Sequence, residues 1–187
     1  MMSARPFDPL TLTRTGFLAA IASLAMLPVG RAAGAEPQPA DFPQLEHVYT
    51  AEVEIGPAER VGETLDGVQR IIPITGGTFE GPAIRGTVIP GGADWNLARN
   101  DGSTVVEAYY FMRTSDGVVI KVFNRGVLPP RDTQQGGAQS PPRPAFTTPV
   151  FEAPRGKYEW LNSGAYLGTI TPRPGGGAVI IRVFRAR

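Results

Sequence analysis

The 187-residue chain has no cysteine. That excludes disulfides, thiolate metal sites, a cysteine nucleophile and lipoprotein-type acylation. Histidine is nearly missing too: His47 stands alone, so a multi-histidine metal centre cannot form and any Ser-His-Asp arrangement would depend on that one ring. Nor is there an excess of charge. Eighteen basic and 17 acidic residues leave a net +1, and the basic side chains are scattered, without the stripe or interleaved aromatics of a nucleic-acid binder. Nucleic acid is therefore not an expected partner. Long apolar runs are equally scarce. The longest uncharged one, GFLAAIASLAMLPV at 16–29, falls short of the roughly twenty residues of a spanning helix.

Around that run stand Arg5 and Arg14 on one side, and Arg31 with Ala33-Gly34-Ala35 on the other. A positive flank, a short apolar centre and a small-residue site make a secretory signal. Residues 1–35 are thus expected to be cleaved. The mature protein is then expected in the periplasm or secreted, with no stable membrane insertion. Thr15 replaces the second arginine of a twin-arginine motif, which leaves general secretion and a degenerate twin-arginine route both open. Residues 36–44 read as an extended lead-in, and 45–187 as a single domain.

What the domain does have is glycine (23) and proline (19) between short alternating segments, a pattern of many strands and turns rather than of a helical bundle. Alternation marks strands at 48–55, 70–75, 83–89, 95–99, 104–113, 118–124, 146–152, 158–162, 166–171 and 178–185. Residues 58–68 read as a loop or an edge segment. Pro73 points to an edge or a bulge, Gly76-Gly77 to a break, and Pro90-Gly91-Gly92 to a turn. Asn100-Asp101-Gly102 and Ser115-Asp116-Gly117 are hairpin signals. The stretch 126–145 reads as a long Pro/Gly-rich loop. The expectation is an all-β fold, an antiparallel up-and-down barrel of about eight to ten strands.

Four segments occur in order after Leu45-Glu46-His47-Val48: Ile74-Thr75-Gly76-Gly77-Thr78-Phe79-Glu80-Gly81-Pro82, Pro90-Gly91-Gly92-Ala93-Asp94-Trp95, Asn124-Arg125-Gly126 and Trp160-Leu161-Asn162. Together they resemble the family catalogued as domain of unknown function 3237, also called uncharacterised protein family 0311. The resemblance runs from about residue 45 to 184 and implies a closed or nearly closed antiparallel barrel of lipocalin-like or cyclase-like shape. It implies no chemistry. The chain departs from the family pattern in its export signal, in Tyr109 where a basic residue is common, and in Phe123 beside Asn124.

Asp94 is the first candidate catalytic residue. Glycines before it let the backbone turn a side chain into a cavity mouth, and Trp95 beside it could desolvate a carboxylate and raise its pKa; the alternative is a turn aspartate accepting backbone N–H bonds. Arg125 is the second, as a clamp for a carboxylate or an enolate oxygen, or else as a rim partner for Glu80 or Asp94. Trp95, Asn124, Glu80, Tyr110, Trp160 and Asn162 are the candidate ligand contacts. Alternation with Ile120 and Val122 turns Asn124 inward. Tyr110, between Ala108 and Met112, falls on the apolar face, which leaves Glu107 on the solvated one. Trp160 either lines an aromatic pocket or fills the barrel. The glycine doublets precede no helix, so no phosphate-cradling loop is expected, and no residue set implies a metal, nucleotide or haem cofactor.

These features suit an exported barrel that binds a small apolar or aromatic molecule bearing a carbonyl or carboxylate. The alternative is a cofactor-free isomerase, cyclase or lyase with a general acid/base carboxylate at the mouth. A second alternative is an exported structural or assembly protein. Outward apolar residues such as Ile180 and Phe184 offer a surface for homo-oligomer pairing.

Overall fold

Among the described residues nine strands form, most of them where apolar and polar residues alternate: β1 (Leu45–Ile55), β2 (Glu59–Thr64), β3 (Gly67–Glu80), β4 (Arg85–Arg99), β5 (Thr104–Thr114), β6 (Val119–Leu128), β7 (Ala145–Glu152), β8 (Tyr166–Pro172) and β9 (Ala178–Ala186). A computed structural model describes residues 42–130 and 145–187. The expected signal at 1–35, the lead-in up to residue 41 and most of the expected long loop lie outside the described residues.

Every pairing is antiparallel, in the order β1-β9-β8-β7-β6-β5-β4-β3-β2, and β1 also pairs with β3. Eight strands therefore close into a barrel, and β2 is left over as an exposed edge. The closure works because β3 has two successive neighbours on one side. Its first half pairs with β2 (Glu59↔Ile71 to Thr64↔Gly67), its second half with β1 (Ile55↔Ile74 to Thr50↔Glu80). Pro73 lies at the changeover, and its carbonyl accepts the Gly56 N–H at 2.9 Å.

Two expected interruptions turn out to be bends within continuous strands. Gly76 and Gly77 have φ of +152° and +130°, and β3 runs on through them to Glu80. A Cβ on Gly77 would come within 2.1 Å of the Glu52 carbonyl oxygen, so only glycine lets β1 approach here. Opposite it, the Pro90-Gly91-Gly92 segment bulges β4 rather than ending it. Pairing with β3 is regular at Ile74↔Gly92 and resumes at Thr78↔Thr87, and pairing with β5 shifts between Ile89 and Ala93. Such paired bulges bend a long strand around a barrel wall.

Two further segments differ from the sequence reading. Residues 158–162 do not form a strand: Glu159–Asn162 is a 3-10 turn, in which the Leu161 N–H donates to the Tyr158 carbonyl at 3.0 Å. Tyr158 and Leu161, three apart, are the residues buried, so the burial period is three, where the Tyr158/Trp160 alternation had suggested two. And β6 continues through Leu128, where Gly126 had marked the start of a loop.

The 3-10 turn closes one end of the barrel. Beneath it Tyr49 packs edge-on against Phe79 and Phe151 (centroids 5.6 and 6.2 Å), and Phe151 against Tyr166 (4.9 Å). Met112, Ile120, Val122 and Val183 fill the space between and are wholly buried. Outside, Asp116 in the β5–β6 turn takes hydrogen bonds from Thr114 Oγ1 (2.6 Å), Tyr158 Oη (2.8 Å) and Lys157 Nζ (2.8 Å). These bonds, above all that from Lys157, hold its carboxyl well below the usual range. Because this end is solid core, Ile120→Ala is expected to cost about 2–5 kcal/mol, read as the change in ΔG from urea unfolding. A loss under about 1 kcal/mol would mean that this end is loosely packed.

Candidate functional site

The other half of the lumen is not filled. A cavity of about 180 Å3 lies there, walled mainly by aliphatic side chains such as Val53 and Ile55 of β1, Ile72 and Ile74 of β3, Val106 of β5, and Ile181 of β9. Among the described residues only Asp94, Asn96, Tyr110 and Asn124 bring polar side chains to it. Strand alternation puts them there. Asp94 and Asn96 share the inner face of β4, Tyr110 that of β5 and Asn124 that of β6.

Register sets their spacing. Asp94 pairs with Ala108, and Ala108 pairs with Asn124, so a carboxyl and an amide stand in one row on either side of a methyl group. Two strand spacings separate their backbones by about 9–10 Å. Alanine in the middle leaves the room between them open.

Asp94 is held from two sides. Its Oδ1 accepts the Glu107 backbone N–H at 2.7 Å, and its Oδ2 accepts from Asn96 Nδ2 at 3.2 Å. The Asn96 amide is itself oriented by Arg70, whose Nη2 donates to Asn96 Oδ1. Both hydrogen bonds and the Arg70 charge favour the carboxylate, yet burial outweighs them and lifts the Asp94 pKa above its ordinary 3.8, with Glu107 adding a small push in the same direction. A carboxyl raised in this way sits closer to the range where it can both give and take a proton.

Other buried polar atoms nearby go unmatched. Among the described residues Asn124 Oδ1, like Arg70 Nε and Thr147 Oγ1, has no hydrogen-bond partner, although Asn124 is 3% exposed; the buried Tyr49 and Tyr110 hydroxyls interact with each other. Burial holds the pKa of both tyrosines above 10, so both stay protonated and remain donors.

Of the eight candidates named from the sequence, the structure brings Asp94, Asn124 and Tyr110 together in the lumen. The other five lie elsewhere. Trp95 is 42% exposed on the outer face, where it meets Tyr109 edge-on at 6.0 Å, and Tyr109 stacks on Phe123 at 4.4 Å. Arg125 also points outward and pairs through Nε with Glu107 Oε1 at 2.8 Å, rather than with Glu80 or Asp94. Glu80 is exposed at the outer wall, paired across strands with Arg85. Trp160 stacks under the Arg185 guanidinium at 5.7 Å, near the closed end. Asn162 bonds both backbone groups of Ala153 (2.7 and 2.8 Å) and so fastens the 3-10 turn to β7. The alternation rule explains the split: Asp94 inward puts Trp95 outward, and Asn124 inward puts Arg125 outward.

The sequence reading passed over Asn96, Arg70 and Ala108. Asn96 was detectable in principle, since i and i+2 share a face of a strand and it stands two residues from Asp94. Arg70↔Asn96 pairing, by contrast, needs the β3–β4 register, which the bulges obscure. Among the described residues no cluster of three His, Asp or Glu side chains is placed to hold a metal ion.

Comparison with known proteins adds a family and neighbours. The family model described as "Protein of unknown function (DUF3237)" matches residues 43–186. A UPF0311 protein of Rhodopseudomonas palustris (strain TIE-1) is 36% identical over 132 residues, covering 67% of this chain and 86% of that one. The crystal structure of a beta-barrel like protein from Acinetobacter baumannii AYE superposes with a TM-score of 0.71 at 31% identity, covering 81% of this chain and 98% of the other. More distant is the hydroalkoxylation enzyme phnH of Penicillium herquei, 29% identical over 153 residues, or 82% of this chain and 87% of that protein.

Proposed function

For this chain, which belongs to the DUF3237 family, we propose that the lumen is the reaction chamber of a cofactor-free acid–base enzyme, an isomerase, cyclase or lyase, acting on a small and largely apolar substrate. The observation that carries the reading is Asp94: a carboxyl raised above its ordinary pKa by burial at the wall of an otherwise aliphatic cavity. An apolar pocket with few convergent polar groups and one displaced titration is the common form of such a site. Arg125, offered by the sequence as an oxyanion stabiliser, stands outside the lumen and takes no part.

The chemistry named for the Penicillium herquei relative fits one carboxyl. Adding an O–H across a carbon–carbon double bond places a proton on one carbon, joins oxygen to the other and releases the hydroxyl proton. Asp94 as the acid supplies the first proton, and its carboxylate takes up the second. Nothing is oxidised or reduced, and the residue returns to its starting state. Isomerisation of a double bond, or elimination, uses the same two transfers.

Binding without turnover is the second reading, favoured by how much of the lining is aliphatic. The two part on Asp94→Asn. Parent and variant are screened against small phenols, enols and unsaturated ketones for binding and for product. Turnover lost while binding persists supports the enzyme; binding by both proteins with no product from either supports the carrier. Export to the periplasm or beyond, if the N-terminal segment acts as a signal, would make the substrate an envelope or environmental compound. Mass spectrometry of the mature N-terminus decides that point: a native protein retaining Met1 contradicts cleavage.

A further inference from the structure

Resting on the lumen as the site, we infer that its ligand inserts a hydroxyl-bearing group about one ring in size, as in a phenol or cyclic alcohol, and that this hydroxyl donates to the Asn124 amide oxygen across the gap from Asp94.

Buried amide oxygens are nearly always bonded, and leaving one unmatched costs about 1–3 kcal/mol. Asn124 lines the cavity, is 3% exposed, and its Oδ1 has no partner among the described residues. Leucine in the same place would fill the wall without that cost, so the amide is poorly explained by packing. A ligand donor satisfies it. Asp94 stands in the same row beyond Ala108, two strands away and lining the same cavity.

Charge narrows the donor. Among the described residues no lysine or arginine lines the cavity, and Arg70 behind Asn96 is already turned to that amide, so a ligand carboxylate would face Asp94 with no cation of the lining in contact with it. An ammonium group would lose its hydration against aliphatic walls. A neutral hydroxyl avoids both costs. Size narrows it further: a dry engineered cavity of about 150 Å3 holds benzene, so the 180 Å3 here takes one ring with one or two small substituents. The carboxylated ligand considered from the sequence alone is disfavoured on this ground.

The test uses phenol, anisole and toluene as probes, with affinities measured by calorimetry or ligand-observed NMR on the parent, Asn124→Leu and Asp94→Asn. Anisole can accept but not donate; toluene has the shape of phenol without its hydroxyl. In the parent, phenol is expected to bind about tenfold more tightly than anisole, one hydrogen bond's worth. In Asn124→Leu that preference should fall to about twofold while toluene binds as well or better. Equal affinity for phenol and anisole in the parent overturns the inference. So does a preference that survives Asn124→Leu and vanishes in Asp94→Asn, which would give the hydroxyl to Asp94 alone. Toluene binding that is abolished by Ala108→Leu keeps the lumen as the site even then, whereas failure of all three probes to bind overturns both. Should Asn124→Leu not fold, the Asn124 side-chain amide resonances of the parent decide: they should shift with phenol and stay with toluene, and a response to both alike contradicts the assignment.

Discussion

Asp94→Asn is expected to lower turnover by ~10²–10⁴-fold, the usual range for removing a general acid or base, while ligand affinity changes only a few-fold. Asparagine has nearly the shape of aspartate, and its carbonyl oxygen can still accept the Glu107 N–H now bound to Oδ1. It cannot gain or lose a proton at working pH. One local contact does suffer. The new amide nitrogen would face Asn96 Nδ2, donor against donor, where Asp94 Oδ2 now accepts, and Arg70 resists turning the Asn96 amide over. Binding therefore has to be measured on the same variant preparation as turnover. A rate within about threefold of the parent would remove Asp94 from the chemistry.

Ala108→Leu is expected to abolish binding, by at least about a hundredfold, without harming the fold. The added carbons enter the gap between Asp94 and Asn124, the one place in the row kept open by a small side chain. They also cover aliphatic wall that is now bare, and cavity filling of this kind commonly adds about 0.5–2 kcal/mol. The pairing of effects is diagnostic: Tm kept or raised by thermal shift, and affinity gone by calorimetry. Binding that survives the substitution would move the site out of the lumen. The contrast with Ile120→Ala at the closed end separates the two halves of the barrel, one whose side chains support the fold and one whose free volume supports the ligand.

Much of this was legible in the chain itself. The period of two in β5 and β6 put Tyr110 on an apolar face and turned Asn124 inward, and both line the lumen. Asp94 was reached through its glycines, which proved to be part of a bulge in β4 rather than a turn. The outward placements share one cause. Trp95 and Arg125 were grouped with Asp94 and Asn124 because they are sequence neighbours, but neighbours on a strand point to opposite faces, and the outer face of this barrel happens to be rich in aromatics and paired charge. Trp160 and Asn162 lie outside the lumen for another reason: a 3-10 turn with Tyr158 and Leu161 buried three apart imitates the start of an alternation over so few residues. The row through Asp94, Ala108 and Asn124 was out of reach, because register across three strands depends on where the bulges fall. A single sequence marks their glycines but not their offsets.

The most direct test is to titrate the Asp94 carboxyl itself, by following its side-chain carboxyl carbon by NMR against pH, with Asp94→Asn to assign the resonance. A midpoint above the ordinary 3.8 is expected, because burial opposes ionisation more than the Glu107 backbone N–H, Asn96 and Arg70 favour it. The folded state then holds that proton more tightly than the unfolded chain. Stability from this group accordingly falls as pH rises from 3.8 through the folded midpoint, a slope that Asp94→Asn should lack. A midpoint at or below 3.8 would mean a carboxylate locked in its charged form by its hydrogen bonds, and the lumen would then have no acid with which to run the proposed reaction.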